Sequence, residues 1–154
     1  MCGIIGYKGS EGATEKVRKG LKKLEYRGYD STGIAVASNP SIKVEKSEGC
    51  VDQIKPEFKG KTGIGHTRWA THGGVNDKNA HPHTSRNEKV AVVHNGIIEN
   101  HAKLKEKIGE EHFESETDTE VIPHLLEKNL ENSGLKTAVE KTISQLEGSY
   151  AVTA

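Results

Sequence analysis

Cys2-Gly3-Ile4-Ile5-Gly6-Tyr7 opens the chain with a short apolar run edged by glycines. That composition suits a buried strand, and it sets a thiol at the strand's first position. Working outward, Val17, Leu21 and Leu24 recur at spacings of four and three in a Lys/Glu-rich stretch, which predicts an amphipathic helix from about residue 14 to 25, closed by Gly28. The runs at 33–37 and 42–45, separated by Ser38-Asn39-Pro40-Ser41, predict an antiparallel hairpin. Residues 63–67 and 90–94 read as two further strands. The long polar stretch between them, with Gly73, Gly74, Asn76, Asp77 and Pro82, is expected to be a functional lid. Beyond Asn95-Gly96, the residues Ile97, Leu104 and Ile108 predict a helical face that stops at Gly109. Val121, Ile122, Leu125, Leu126 and Leu130 predict the clearest helix, with Pro123 tolerated in its first turn. Leu135, Val139, Ile143 and Leu146 predict the last one, ended by Gly148, after which residues 149–154 read as the start of a strand. Antiparallel strands followed mostly by helices imply an α+β domain of packed layers.

A chain of 154 residues suits one domain with a single hydrophobic core and one active site. Its 22 basic and 22 acidic residues cancel, and no block of like charge is longer than the Lys22-Lys23 pair or Glu110-Glu111, so neither nucleic acid nor a membrane surface is expected as partner. No apolar run approaches the roughly 20 residues that span a bilayer, and the first residues are no leader peptide, which points to a cytoplasmic protein. Cys2 and Cys50 are too few for a secreted disulfide scaffold and are expected to be reduced. With 32% hydrophobic and 5% aromatic residues the core must be thin, or completed by something outside this chain.

Cys2 is the first candidate for chemistry, since removal of Met1 would leave a thiol and a free α-amine on one residue. α-Amines titrate near neutral pH, so nucleophile and base would sit together; an ordinary buried cysteine is the alternative. Asn95 and Gly96 follow an apolar strand and sit where it would break into a turn or helix. A side-chain amide and a backbone N–H can there point at one spot, as a developing oxyanion needs, unless they form a plain Asn-Gly turn. Arg68, Thr71 and His72, with Trp69 among them, make a polar cluster suited to a carboxylate, or merely a solvated loop. Asp118 could hold an ammonium group, or cap the helix that follows. The eight histidines, densest around His66, His72, His81 and His83, lack both an HExxH and a CxxC pattern, so no metal or other cofactor is expected.

The segments 1–4, 24–31, 65–73, 79–83, 93–100 and 115–120 form six motifs (Met-Cys-Gly-Ile, Leu-Glu-Tyr-Arg-Gly-Tyr-Asp-Ser, Gly-His-Thr-Arg-Trp-Ala-Thr-His-Gly, Asn-Ala-His-Pro-His, Val-His-Asn-Gly-Ile-Ile-Glu-Asn and Ser-Glu-Thr-Asp-Thr-Glu). In this order and spacing they resemble the glutaminase domain, a type 2 glutamine amidotransferase domain, of the glucosamine-6-phosphate synthase family. The resemblance implies an N-terminal-nucleophile hydrolase fold, a four-layer αββα sandwich. It implies that Cys2 attacks the side-chain amide of L-glutamine, that Asn95 and Gly96 form the oxyanion hole, and that Arg68, with Thr71 and His72 around it, binds the α-carboxylate. Asp118 would bind the α-ammonium, Arg27 and Trp69 would border the site, and the loop from Arg68 to His81 would close over glutamine. Amidotransferases acting on phosphoribosyl pyrophosphate or aspartate share the cysteine and the Asn-Gly pair; the Thr-Arg-Trp-Ala-Thr-His string favours the sugar-phosphate branch. The family's glutaminase domain runs past residue 154 and is followed by sugar isomerase domains, so residues 1–154 are expected to be an incomplete amidotransferase domain that reaches fructose 6-phosphate only through those absent domains. An open sheet edge would leave room for a homodimer. The alternatives are a non-catalytic glutamine-binding remnant or the glutaminase domain of another amidotransferase of this class.

Overall fold

The computed structural model describes residues 2–70 and 73–154. β1 (Gly3–Lys8), β2 (Ser31–Ser38), β3 (Ser41–Glu48) and β4 (Thr62–Arg68) form one antiparallel sheet in the order β1-β4-β2-β3. β5 (His83–Thr84), β6 (Ala91–Ile98) and β7 (Gly148–Thr153) form a second, in the order β5-β6-β7. Helix α1 (Ala13–Leu24) covers the first sheet, and α2 (His101–Ile108), α3 (Val121–Leu130) and α4 (Leu135–Ile143) belong to the side of the second. The layers therefore run helix, sheet, sheet, helices.

This layering explains why the expected single core is three apolar layers. Ala13, Val17 and Leu21 recur every fourth residue along one face of α1 and pack on Ile34 and Val36 of β2. Ala35, Ile64, Ala91 and Val93 fill the space between the sheets, and because side chains alternate along a strand, Ala35 faces away from its neighbours Ile34 and Val36. Val92, Ile98, Leu104, Val121, Ile122, Leu125 and Leu126 make the third layer. Full burial of a side chain such as Leu21 or Ile34 contributes roughly 1.5–3 kcal/mol, so each thin layer is assembled from a handful of such terms.

The register places the site. Gly3 pairs with Thr67 and Ser31 with Arg68, which brings the residue before β1, the end of β4 and the start of β2 to one edge. Both cysteines are free thiols. Two expectations change. The strand holding Asn95 and Gly96 does not break there but runs to Ile98, because β7 pairs with it from Val93 to Ile98, Asn95 opposite Ala151 and Gly96 opposite Tyr150. In consequence Ile97 belongs to that strand and the helix begins only at His101.

Candidate active site

A cavity of about 400 Å³ opens between the two sheets, lined by Cys2, Arg68, Trp69, His81, His94, Asn95, Gly96, Ile97, Thr117, Asp118 and Thr119. The residue just before β1 is Cys2; β4 delivers Arg68, β6 delivers residues 94–97, and the turn before α3 delivers residues 117–119. The Cys2 sulfur faces the main chain of Trp69: it accepts from the Trp69 N–H at 3.3 Å and lies 3.7 Å from the carbonyl. That stretch is held by Asp30, whose carboxylate accepts from the Ala70 N–H at 2.9 Å and whose own N–H donates to the Arg68 carbonyl.

Gly96 has φ +139, and a Cβ there would lie 2.2 Å from the Ser149 carbonyl oxygen, so no other residue fits this backbone beside β7. Its neighbour Asn95 is part-exposed toward the cavity. The Asn-Gly pair is thus a strand distortion rather than a hairpin turn.

Arg68 is 4% exposed, and burial lowers the pKa of its guanidinium against the opposing pull of the Cys2, Asp30 and Asp118 charges. Two of its nitrogens donate to loop carbonyls, Nη1 to Gly74 at 3.1 Å and Nη2 to Gly73 at 3.4 Å. Asp118, 5% exposed, does not cap α3. Its Oδ2 accepts from the Ile98 N–H at 2.7 Å, and its Oδ1 accepts from the Thr119 hydroxyl at 3.5 Å. The Thr119 oxygen lies 2.7 Å from His94 Nδ1, so this hydroxyl links Asp118 to the His94 ring.

The Ser-Glu-Thr-Asp-Thr-Glu segment is organised by its last residue. Glu120 accepts from the N–H of Glu114 at 3.1 Å and of Ser115 at 2.8 Å, and from the Ser115 hydroxyl at 2.6 Å, which curls the turn and presents Thr117 and Asp118. Behind it His66, His81 and His83 pack ring on ring, with centroids 4.2 Å apart for His66–His81 and 4.7 Å for His81–His83, and His94 lies 6.4 Å from His81. Burial lowers the pKa of all four, that of His66 to about 3. Among the described residues no group of His, Cys, Asp or Glu is arranged to hold a metal ion.

The cavity therefore gathers Cys2, Asn95, Gly96, Arg68, Trp69 and Asp118 from the sequence-derived set. Thr71 and His72 lie outside the described residues, as does Met1. Arg27 sits in a separate 3₁₀ turn, Glu25–Arg27, and is not among the lining residues. Asp30, His94 and Thr119 also stand at or beside the cavity without a role expected from sequence; each lies in one of the six motifs, and that membership is the signal that marks it.

Two antiparallel sheets between helical layers, with a cysteine at the head of the first strand, are the architecture of the N-terminal-nucleophile amidotransferases. A solved glutamine phosphoribosylpyrophosphate amidotransferase from B. subtilis superposes with a TM-score of 0.80 at 28% identity, over 99% of this chain and 34% of that one. Residues 66–154 match the family model of the glutamine amidotransferase domain, and the chain belongs to that family. Among curated relatives, the glutamine--fructose-6-phosphate aminotransferases (isomerizing) of Aquifex aeolicus and Halobacterium salinarum are each 51% identical, over 98% and 99% of this chain. The chain spans 26% of the length of either relative. No helix among the described residues is long and apolar enough to cross a membrane.

Proposed function

We propose that this chain carries out the glutaminase half-reaction of glutamine:fructose-6-phosphate amination. With Met1 removed, the α-amine of Cys2 takes the thiol proton as sulfur attacks the side-chain amide carbon of L-glutamine. The resulting oxyanion accepts hydrogen bonds from the Asn95 side-chain amide and the Gly96 N–H. Collapse breaks the C–N bond, the amine returns its proton to the leaving nitrogen, and ammonia departs from a Cys2 thioester. Water then attacks the thioester, releasing glutamate and restoring the thiol. Arg68, with Thr71 and His72, takes the α-carboxylate and Asp118 the α-ammonium, with Trp69 and Arg27 at the border.

The observation that carries this reading is one cavity lined at once by a thiol, an Asn-Gly pair, a buried guanidinium and a buried carboxylate. Residues 1–154 are then a type 2 amidotransferase domain acting in the cytoplasm. Delivery of ammonia to fructose 6-phosphate belongs to sugar isomerase domains such as the longer relatives have room for, and the assembly is a homodimer. Glutamate release from glutamine, measured beside Cys2→Ala with intact mass recorded for Met1, tests it. Release by the processed chain and none by C2A is the expected result; equal release from both removes the reading.

A further inference from the structure

Asn79 has no solvent exposure, and its side chain is committed in two directions. Nδ2 donates to the Gly74 carbonyl at 3.0 Å and to Glu116 Oε2 at 2.9 Å, and Oδ1 accepts from the Glu116 N–H at 2.9 Å. Glu116 Oε2 also accepts from the Gly74 N–H at 3.2 Å, which closes a ring of hydrogen bonds among Gly74, Asn79 and Glu116. Gly73, at φ +74, passes so near that a Cβ would lie 2.8 Å from Asn79 Nδ2.

On one side this ring holds the Gly74 carbonyl, which accepts from Arg68 Nη1, next to the Gly73 carbonyl that accepts from Nη2. On the other it stands two residues before Asp118. The loop is fastened from a third side to β3, where Lys46 Nζ donates to the carbonyls of Lys78 at 3.2 Å and Ala80 at 2.9 Å and the Glu48 N–H donates to Asp77 Oδ1 at 2.9 Å. Asn79 and Glu116 stand behind the cavity wall that Arg68, Thr117 and Asp118 form.

We propose that Asn79 and Glu116 are positioning residues for glutamine: their fork fixes the separation between the Arg68 guanidinium and the Asp118 carboxylate, and with it the α-amino-acid group the site accepts. This rests on the reading above, in which those two charges take the α-carboxylate and the α-ammonium. Cys2 just before β1, and Asn95 and Gly96 on β6, stand outside the fork, so loosening it weakens the grip on substrate and leaves the chemical step in place. A variant lacking the fork therefore raises KM with little change in kcat.

Glu116 is exposed whereas Asn79 is fully buried, which makes Glu116 the residue to vary. Steady-state glutaminase kinetics are measured for wild type, Glu116→Ala and Glu116→Gln, together with rates of Cys2 alkylation by a γ-diazoketone analogue of glutamine and by iodoacetamide, which has no α-amino-acid group. Glu116→Ala is expected to raise KM roughly tenfold, the scale of one charge-assisted hydrogen bond, with kcat changed by less than about threefold. Labelling by the analogue slows in step while the iodoacetamide rate holds. Glu116→Gln keeps an acceptor oxygen for the Gly74 and Asn79 donors and restores KM to within about threefold of wild type. A wild-type KM in E116A overturns the inference, as do an E116Q as impaired as E116A and a parallel slowing of iodoacetamide. A wild-type chain with processed Cys2 that neither releases glutamate nor takes the analogue overturns the underlying reading first, and this inference with it.

Discussion

The backbone N–H of Ile98 donates to Asp118 Oδ2 at 2.7 Å, which ties the end of β6 to the turn before α3. One carboxylate thus serves as brace for the strand of Asn95 and Gly96 and as the charge proposed for the substrate ammonium. Asp118→Asn keeps an oxygen for Ile98 and loses the charge. It is expected to raise KM by roughly 10- to 100-fold, the range of a hydrogen bond to a charged group, with stability nearly unchanged. Asp118→Ala strands the buried Ile98 N–H as well and is expected to cost about 1–3 kcal/mol in urea unfolding. Equal KM values for D118N and wild type would sink the ammonium role.

Asn95 and Gly96 divide in what they contribute. Asn95→Ala removes the proposed side-chain oxyanion donor from a part-exposed position and should lower kcat about 10²- to 10³-fold while leaving the unfolding midpoint in place. Gly96→Ala must place a methyl where Ser149 O stands, on a backbone at φ +139, so it loses stability along with activity, by more than the roughly 1–3 kcal/mol of backbone strain alone. Circular dichroism melts recorded beside the kinetics separate the two. A G96A that melts like wild type would show that β7 does not press on this strand as described.

What the sequence makes legible is what has a local period or a short-range rule. The strand after Cys2, the helix over Val17 and Leu21, the hairpin across Asn39-Pro40 and the final strand all follow from spacing and turn residues. Asn95-Gly96 misleads because Asn-Gly is the commonest short turn pair, whereas here pairing with residues 150 and 151, more than fifty positions on, keeps the chain extended. Contacts such as Ile98 to Asp118, or Asn79 to Glu116 across 37 residues, join side chains to backbone between distant loops and leave no periodicity to read. The six motifs marked those residues as a set without saying which touches which.

Glu120 supplies a stability test apart from activity. Burial opposes its charge, yet the His124 ring 3.7 Å away and the bonds from the Ser115 hydroxyl and the N–H groups of Glu114 and Ser115 outweigh this and bring its pKa down to about 2. A carboxylate held below its unfolded value adds stability that is complete above the unfolded pKa, near 4.5, and is lost as pH falls through the folded one. Glu120→Gln is therefore expected to cost about 1–3 kcal/mol at pH 7, and the difference from wild type should shrink toward pH 3. A gap that stays constant over that range would show that the charge adds nothing.

The packed imidazoles of His66, His81, His83 and His94 set a separate acid limit, reached at higher pH than that of Glu120. Burial lowers each, joined at His81 by the neighbouring rings and at His83 by Lys46, and opposed at His94 by Asp118. The folded state keeps the rings of His66, His81 and His83 neutral well below 6.5, where the unfolded chain protonates them, and lowers the pKa of His94 as well, so between those values the unfolded state binds more protons and stability falls as pH falls. Above about pH 7 both states are neutral and the contribution vanishes. Each such group contributes a slope of about 1.4 kcal/mol per pH unit, and urea unfolding between pH 7.5 and 5.5 should show a slope steeper than one group alone can give. His66→Leu keeps a buried side chain of similar bulk while removing one titrating ring, so its slope should be shallower by one group's share. An unchanged slope would mean that His66 is protonated in the folded protein, which would place its ring in contact with water rather than against His81.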